Sequence, residues 1–250
     1  EHMTKVTGGF GRIVWMSTFD AENAVRTAKE NRPFVGVSRN GELLPETKAV
    51  IAMIAKHSLV LATGHVSAQE GLLILREARR LGVRRMVVTH AMNPPISMTV
   101  AQMQEAAKEG AFIEFVGSAL KTADDQARMD RFADAIKRIG AAATILSSDL
   151  GQQGNALPAD GFAAFLGAMR DRGISVADIE TMTGRLFSRE IESSRQIISD
   201  AVEDPPGLST RSTMARIDRS ASRPMPGREP AAVRFASPVE TTNAAPALRG

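Results

Sequence analysis

The chain has 250 residues, of which 43% are hydrophobic and 24% are charged, and its formal net charge is +3. This is the composition of a globular protein with one large or two small domains, and so small a charge excess does not predict a nucleic-acid partner. The sequence contains no cysteine, which excludes disulfides, thiolate metal sites and cysteine nucleophiles and is compatible with a reducing compartment. No apolar run approaches the roughly 20 residues of a membrane helix, and the first residues do not resemble a signal peptide. We therefore expect a cytoplasmic protein without a membrane partner.

Short β-branched runs alternate with longer helical patterns along most of the chain. Strands are predicted, in order, at RIVWM (12–16), FVGV (34–37), LVLATGH (59–65), RMVVTH (85–90), AFIEFVG (111–117) and ATILSSD (143–149). Each is followed by a helical pattern with a start signal: Asp20 as N-cap, Pro45, the capping box Ser67–Glu70, the capping box Thr99–Gln102, Thr122 and Pro158. Three of these helices are expected to stop at Gly82, Gly110 and Gly140, and a last helix to run from Ser175 to about Ile198.

Strands of four to seven residues that alternate with helices of ten or more predict βα units and a parallel sheet. Such a sheet is either open and doubly wound or closed as a (β/α)8 barrel. Only five or six strands are visible, which is fewer than a full barrel requires.

The composition changes near residue 200. Seven of the twelve prolines lie between Pro205 and Pro246, among serine, alanine and arginine. A segment of this composition buries too little apolar surface to offset the entropy lost on ordering. The sequence therefore predicts an α/β domain over residues 1–200 and a disordered tail over 201–250.

Three titratable side chains end predicted strands: His65, His90 and Asp149. Because the carboxyl ends of parallel strands form the functional edge of an α/β fold, these side chains are expected to converge. Two imidazoles and a carboxylate suit zinc, or alternatively manganese, and Asp149 could also accept a proton from a metal-activated water. The alternative is that each histidine is a hydrogen-bonded structural residue.

Other residues are candidates for the surrounding pocket. Glu114 alternates with the apolar Ile113 and Phe115, Asn93 opens the NPP loop after His90, and Gln152 lies in SSDLGQ. Gly64 permits a turn or a close backbone approach before His65.

TGH, VTH and SSDLGQ, in this order, resemble the second half of the metal-dependent (β/α)8 barrels of the amidohydrolase superfamily. Within it, a little-studied branch of predicted metal-dependent hydrolases is the most similar over roughly residues 1–190. The resemblance implies that RIVWM is the fourth barrel strand. It also implies that His65, His90 and Asp149 follow strands five, six and eight as metal ligands and proton shuttle.

The chain departs from that pattern in one important respect. The superfamily carries a His-x-His pair on its first strand, whereas this sequence has only His2, His57, His65 and His90. We therefore expect a partial barrel comprising strands four to eight, with hydrolysis of a small amide, ester or lactone impaired. The exposed edge of RIVWM would favour self-association. A non-catalytic half-barrel and a doubly wound phosphate- or nucleotide-binding domain remain the alternatives.

Overall fold

A computed structural model describes residues 11–117 and 122–184. The predicted tail, the domain boundary at residue 200 and the expected end of the last helix lie outside these residues. The described strands are β1 (Ile13–Trp15), β2 (Ser38–Arg39), β3 (Glu42–Leu43), β4 (Val60–Ala62), β5 (Met86–Val88), β6 (Ala111–Val116) and β7 (Thr144–Ser147). The described helices are α1 (Glu22–Thr27), α2 (Pro45–Lys56), α3 (Ala68–Arg80), α4 (Val100–Lys108), α5 (Ala123–Ile139), α6 (Pro158–Asp171) and α7 (Val176–Gly184). None of them is long and apolar enough to cross a membrane.

Five strands form one parallel sheet in the order β1-β4-β5-β6-β7. Helices connect the strands, so the predicted α/β class with a parallel sheet is confirmed. The strands β2 and β3 form a separate antiparallel hairpin between α1 and α2.

Capping boxes set the start of three helices: the two predicted at Ser67 and Thr99, and a third at Thr122, which was predicted only as a helix start. The side chains of Ser67, Thr99 and Thr122 each accept a hydrogen bond from the backbone N–H three residues later, and the residue at that position bonds back to the cap. The predicted prolines occupy the first turns of α2 and α6. These local signals were read correctly because each is completed within four residues.

Two local predictions were wrong. The N-cap of α1 is Ala21 rather than Asp20, because the Asp20 carboxylate instead binds Arg32 at 2.6 Å. FVGV does not form a strand of the main sheet, and Val35 makes only an isolated parallel bridge to Ala21. A four-residue apolar run is too short to distinguish a strand from a bridged loop.

The two faces of the sheet differ in burial. The strand residues on one face, among them Leu61, Met86, Ile113 and Leu146, are buried against the helices. Beneath these helices the rings of Phe115, Phe132 and Phe165 pack edge to face, with centroid separations of 5.2 and 6.3 Å.

The opposite face carries the layer Trp15, Ala62, Val87 and Phe112, which the strand register aligns. At the β1 edge of this face Ile13 and Trp15 are 36% and 52% exposed. Glu114 belongs to the same face, as expected from its alternation with Ile113 and Phe115.

Candidate active site: a histidine pair at the strand ends

His65 and His90 follow the adjacent strands β4 and β5, and their side chains meet. The two Nε2 atoms are 3.0 Å apart, and the ring centroids are separated by 4.9 Å. The expected convergence of the two imidazoles is therefore confirmed. At this distance the nitrogens either share a proton, with one ring donating and the other accepting, or face a common ligand.

The backbone after β4 holds His65 in place. Gly64 has a φ of +63°, and a Cβ at this position would lie 2.5 Å from the carbonyl oxygen of Met16. The His65 N–H donates to the carbonyl of Ser17 at 2.9 Å. Only glycine allows this approach, so Gly64 fixes His65 against the end of β1.

Two threonines join the ends of β4 and β5. The Gly64 N–H donates to Thr89 Oγ1, and the Thr89 N–H donates to Thr63 Oγ1, both at 3.1 Å. Thr63 and Thr89 are buried, so these bonds form in a region of low dielectric and hold the two histidine-bearing segments in register.

Glu114 supports the second histidine. Its Oε2 accepts the His90 backbone N–H at 3.0 Å, and its Oε1 accepts the Ser147 hydroxyl at 2.9 Å. The Glu114 carboxylate therefore spans the ends of β5 and β7, next to the imidazole pair. The sequence left open whether Glu114 lines the pocket or is a hydrogen-bonded structural carboxylate, and its two hydrogen bonds give it a positioning role.

The pKa of His65 is lowered from its ordinary value. Burial of the imidazole is the main cause, and the neighbouring His90 lowers the pKa further, whereas the charge of Asp149 raises it. The neutral form, which is the metal-binding and proton-accepting form, is thus favoured at His65.

Asp149 lies near the pair without contacting it directly. Its charge acts on His65, but its side chain is exposed, and within residues 11–117 and 122–184 no hydrogen bond joins it to either imidazole. The Asp149 carbonyl accepts from Gln152 Nε2 at 2.9 Å, and Gln152 Oε1 accepts from Asn155. Gln152 thus shapes the loop that carries Asp149, and its described bonds do not extend to the histidines.

Asn93 begins a turn after His90, with its N–H donating to the His90 carbonyl at 2.9 Å. Its side-chain Oδ1 and the Nδ1 of His90 are buried, and neither has a hydrogen-bond partner in the described part of the chain. Buried polar atoms without a partner are uncommon in folded proteins.

A complete metal-binding set is not formed by the described residues. No three histidine, aspartate or glutamate side chains among residues 11–117 and 122–184 lie close enough together to hold one ion. The histidine pair is therefore an incomplete ligand set in this part of the chain.

Sequence reasoning missed two neighbours of His65. The ring of Phe19 packs edge to face on the His65 imidazole, with centroids 5.5 Å apart. The side chain of Asn23 donates to the carbonyls of His65 and Pro95, at 3.1 and 2.9 Å. The sequence gives no local signal for these contacts, because the partners are at least 42 positions apart in the chain.

A separate cleft of about 840 Å³ lies among α1, the β2–β3 hairpin and the start of α3. Its lining includes Arg26, Phe34, Arg39 and Glu70 but neither histidine of the pair. Arg26 lies over the Phe34 ring at 5.2 Å, and Glu70 accepts the Ser38 hydroxyl.

A profile described as a family of unknown function, DUF6282, matches residues 1–114, which include both histidines of the pair and Glu114. No curated protein matches the chain.

Proposed function

We propose that the chain is a hydrolase-like protein, built on part of a (β/α)8 barrel, whose His65–His90 pair contributes to a divalent metal site for the hydrolysis of a small amide, ester or lactone. The observation that carries the proposal is the 3.0 Å separation of the two Nε2 atoms at the carboxyl ends of adjacent parallel strands. In α/β folds this edge is where active sites are found.

The order of the strands supports a barrel segment. A doubly wound sheet reverses its strand order at a switch point, where it binds nucleotides or phosphates. Here the neighbours β1, β4, β5, β6 and β7 follow the order of the chain. Consecutive helices from α2 to α7 also pack against each other, as in the outer ring of a barrel. The doubly wound alternative gains no such support.

The separation of the imidazoles suits a shared ion. Two bonds of about 2.1 Å to one zinc ion place the nitrogens about 3.0–3.4 Å apart for ligand angles of about 90–110°. The observed 3.0 Å falls at the lower end of this range. Burial favours neutral His65, so protons compete less with a metal at this nitrogen.

Two features predict weak metal affinity. A catalytic zinc site usually has three protein ligands, and the described residues provide two that converge. A metal-binding histidine usually donates its other N–H to a partner, whereas His90 Nδ1 has none among the described residues. The same two features favour the second candidate function, a non-catalytic binding module.

The roles of the residues follow from their positions. A bound zinc or manganese ion would polarise the substrate carbonyl and activate water. His65 and His90 would hold it, and Glu114 would orient His90 through its backbone N–H. Asp149, whose charge acts on His65, is proposed to accept the proton of the attacking water and return it to the leaving group.

Calorimetric titration with zinc and with manganese tests the proposal. We expect one weak site in the wild-type chain, which His65→Ala and His90→Ala each abolish. His57→Ala is the matched control, because His57 follows the C-terminus of α2 and is expected to leave metal binding unchanged. Equal binding by the wild-type chain and both site variants would refute the proposal.

A further inference from the structure

Phe19 is an exposed aromatic side chain beside the histidine pair. It is 76% exposed, and its edge-to-face contact with the His65 ring has a centroid separation of 5.5 Å. Small-molecule sites are lined mainly by apolar and aromatic side chains around a few polar groups. An exposed phenyl group in contact with a half-buried imidazole has this composition.

The backbone that carries Phe19 is held firmly. The Arg32 guanidinium donates to the Phe19 carbonyl at 2.7 Å and to the Asp20 carboxylate at 2.6 Å. The Val35 N–H donates to the Asp20 carbonyl at 2.7 Å. A fixed backbone with an exposed side chain is preorganised for binding, since less freedom is lost when a ligand packs on it.

The same segment is tied to the candidate site. Ser17, two residues before Phe19, accepts the His65 N–H at 2.9 Å, and Gly64 packs directly on the Met16 carbonyl. The position of Phe19 relative to His65 is therefore set by backbone contacts. Trp15, the last residue of β1, is 52% exposed and lies in register with Ala62 of β4, three residues before His65.

We infer that Phe19 binds an aromatic or bulky apolar group of the substrate, next to the reacting group at His65 and His90. This inference rests on the proposed hydrolase function and names its substrate class: amides, esters or lactones that carry an aromatic or bulky apolar group. Phe19 is a specificity-determining residue in this account and takes no part in proton transfer.

Ligand binding is measured through the fluorescence of Trp15. It is the only tryptophan, and the chain has no tyrosine, so intrinsic fluorescence reports on the β1 end of the site. The probes are benzohydroxamate and acetohydroxamate, which share the metal-binding group and differ in phenyl against methyl. Each is titrated into the wild-type chain, Phe19→Ala, Phe19→Leu and Phe34→Ala, with zinc and again with EDTA.

We expect the wild-type chain to bind benzohydroxamate about tenfold more tightly than acetohydroxamate, because the phenyl group removes apolar surface from water at Phe19. Phe19→Ala should abolish this preference without changing the affinity for acetohydroxamate, and Phe19→Leu should retain part of it. Phe34→Ala is the matched control, since Phe34 is a 45% exposed phenylalanine in the separate cleft. It should behave as the wild type.

The inference would be overturned by equal affinities for the two probes, by a preference that survives Phe19→Ala, or by a preference lost in Phe34→Ala. Absence of saturable benzohydroxamate binding at about 10 mM, a very weak affinity, would also overturn it. Failure of the proposed function is seen separately, as zinc binding that does not depend on His65 and His90. In that case, tighter binding of benzohydroxamate than of acetohydroxamate in EDTA that depends on Phe19 still supports the aromatic subsite. If no such difference is seen in EDTA, the subsite is refuted.

Discussion

Replacing Gly64 by alanine tests how closely the histidine segment packs on β1. The new Cβ would lie 2.5 Å from the Met16 carbonyl oxygen and 2.6 Å from that of Ser17, and the φ of +63° is unfavourable for alanine. The left-handed conformation costs about 1–2 kcal/mol, and overpacking against backbone atoms that cannot rotate away adds about 1–3 kcal/mol. We expect the free energy of unfolding to fall by about 2–5 kcal/mol.

Gly82→Ala is the matched control for this substitution. Gly82 has a φ of +80°, but nothing lies within 4 Å of an added Cβ, so only the cost of the conformation applies. The measurement is urea unfolding followed by circular dichroism, analysed by linear extrapolation. Equal losses of stability in Gly64→Ala and Gly82→Ala would show that the close approach at His65 does not exist.

Three further predictions concern the site. Glu114→Ala leaves the His90 backbone N–H without its acceptor, so urea titrations should show the free energy of unfolding lowered by about 1–3 kcal/mol. Glu114→Gln should lower it by less than half of this, because one side-chain oxygen remains to accept the bond. The pKa of His65 is lowered in the folded chain, so just below the ordinary value of about 6.5 the unfolded chain binds more protons than the folded chain, and the free energy of unfolding should fall as the pH falls. In thermal melts between about pH 5 and 7.5, His65→Asn should make the melting temperature less dependent on pH. An unchanged pH dependence would contradict the assigned shift. Assays of the chain with added zinc or manganese against amides, esters and lactones should show little turnover, and robust turnover that survives His65→Ala would place the site elsewhere.

The fold could be predicted where the signals are local. The capping boxes at Ser67 and Thr99 and the start signal at Thr122 predicted where their helices begin, and the apolar runs predicted the five parallel strands. The prediction failed at Asp20, because the competing partner Arg32 comes from a loop twelve residues away. Strand order could not be read from the apolar runs themselves, since runs of similar composition do not specify their neighbours, and only the family resemblance implied a sequential order.

The candidate site could likewise be predicted only in part. The positions of His65 and His90 at strand ends were sufficient to predict that the imidazoles meet, because adjacent parallel strands end at one edge. The sequence did not reveal that Phe19 and Asn23 contact the His65 segment, since these contacts depend on how the loop after β1 folds back. The roles of His65, His90 and Asp149 in metal binding stay predictions.

The central claim, that His65 and His90 bind one metal ion together, is tested most directly by X-ray absorption at the zinc edge of the loaded chain. We predict that the wild-type spectrum contains scattering from two imidazoles at about 2.0–2.1 Å, and that this scattering is absent from His90→Ala, which abolishes the site. A wild-type spectrum without imidazole scattering, or one that His90→Ala leaves unchanged, would contradict the claim.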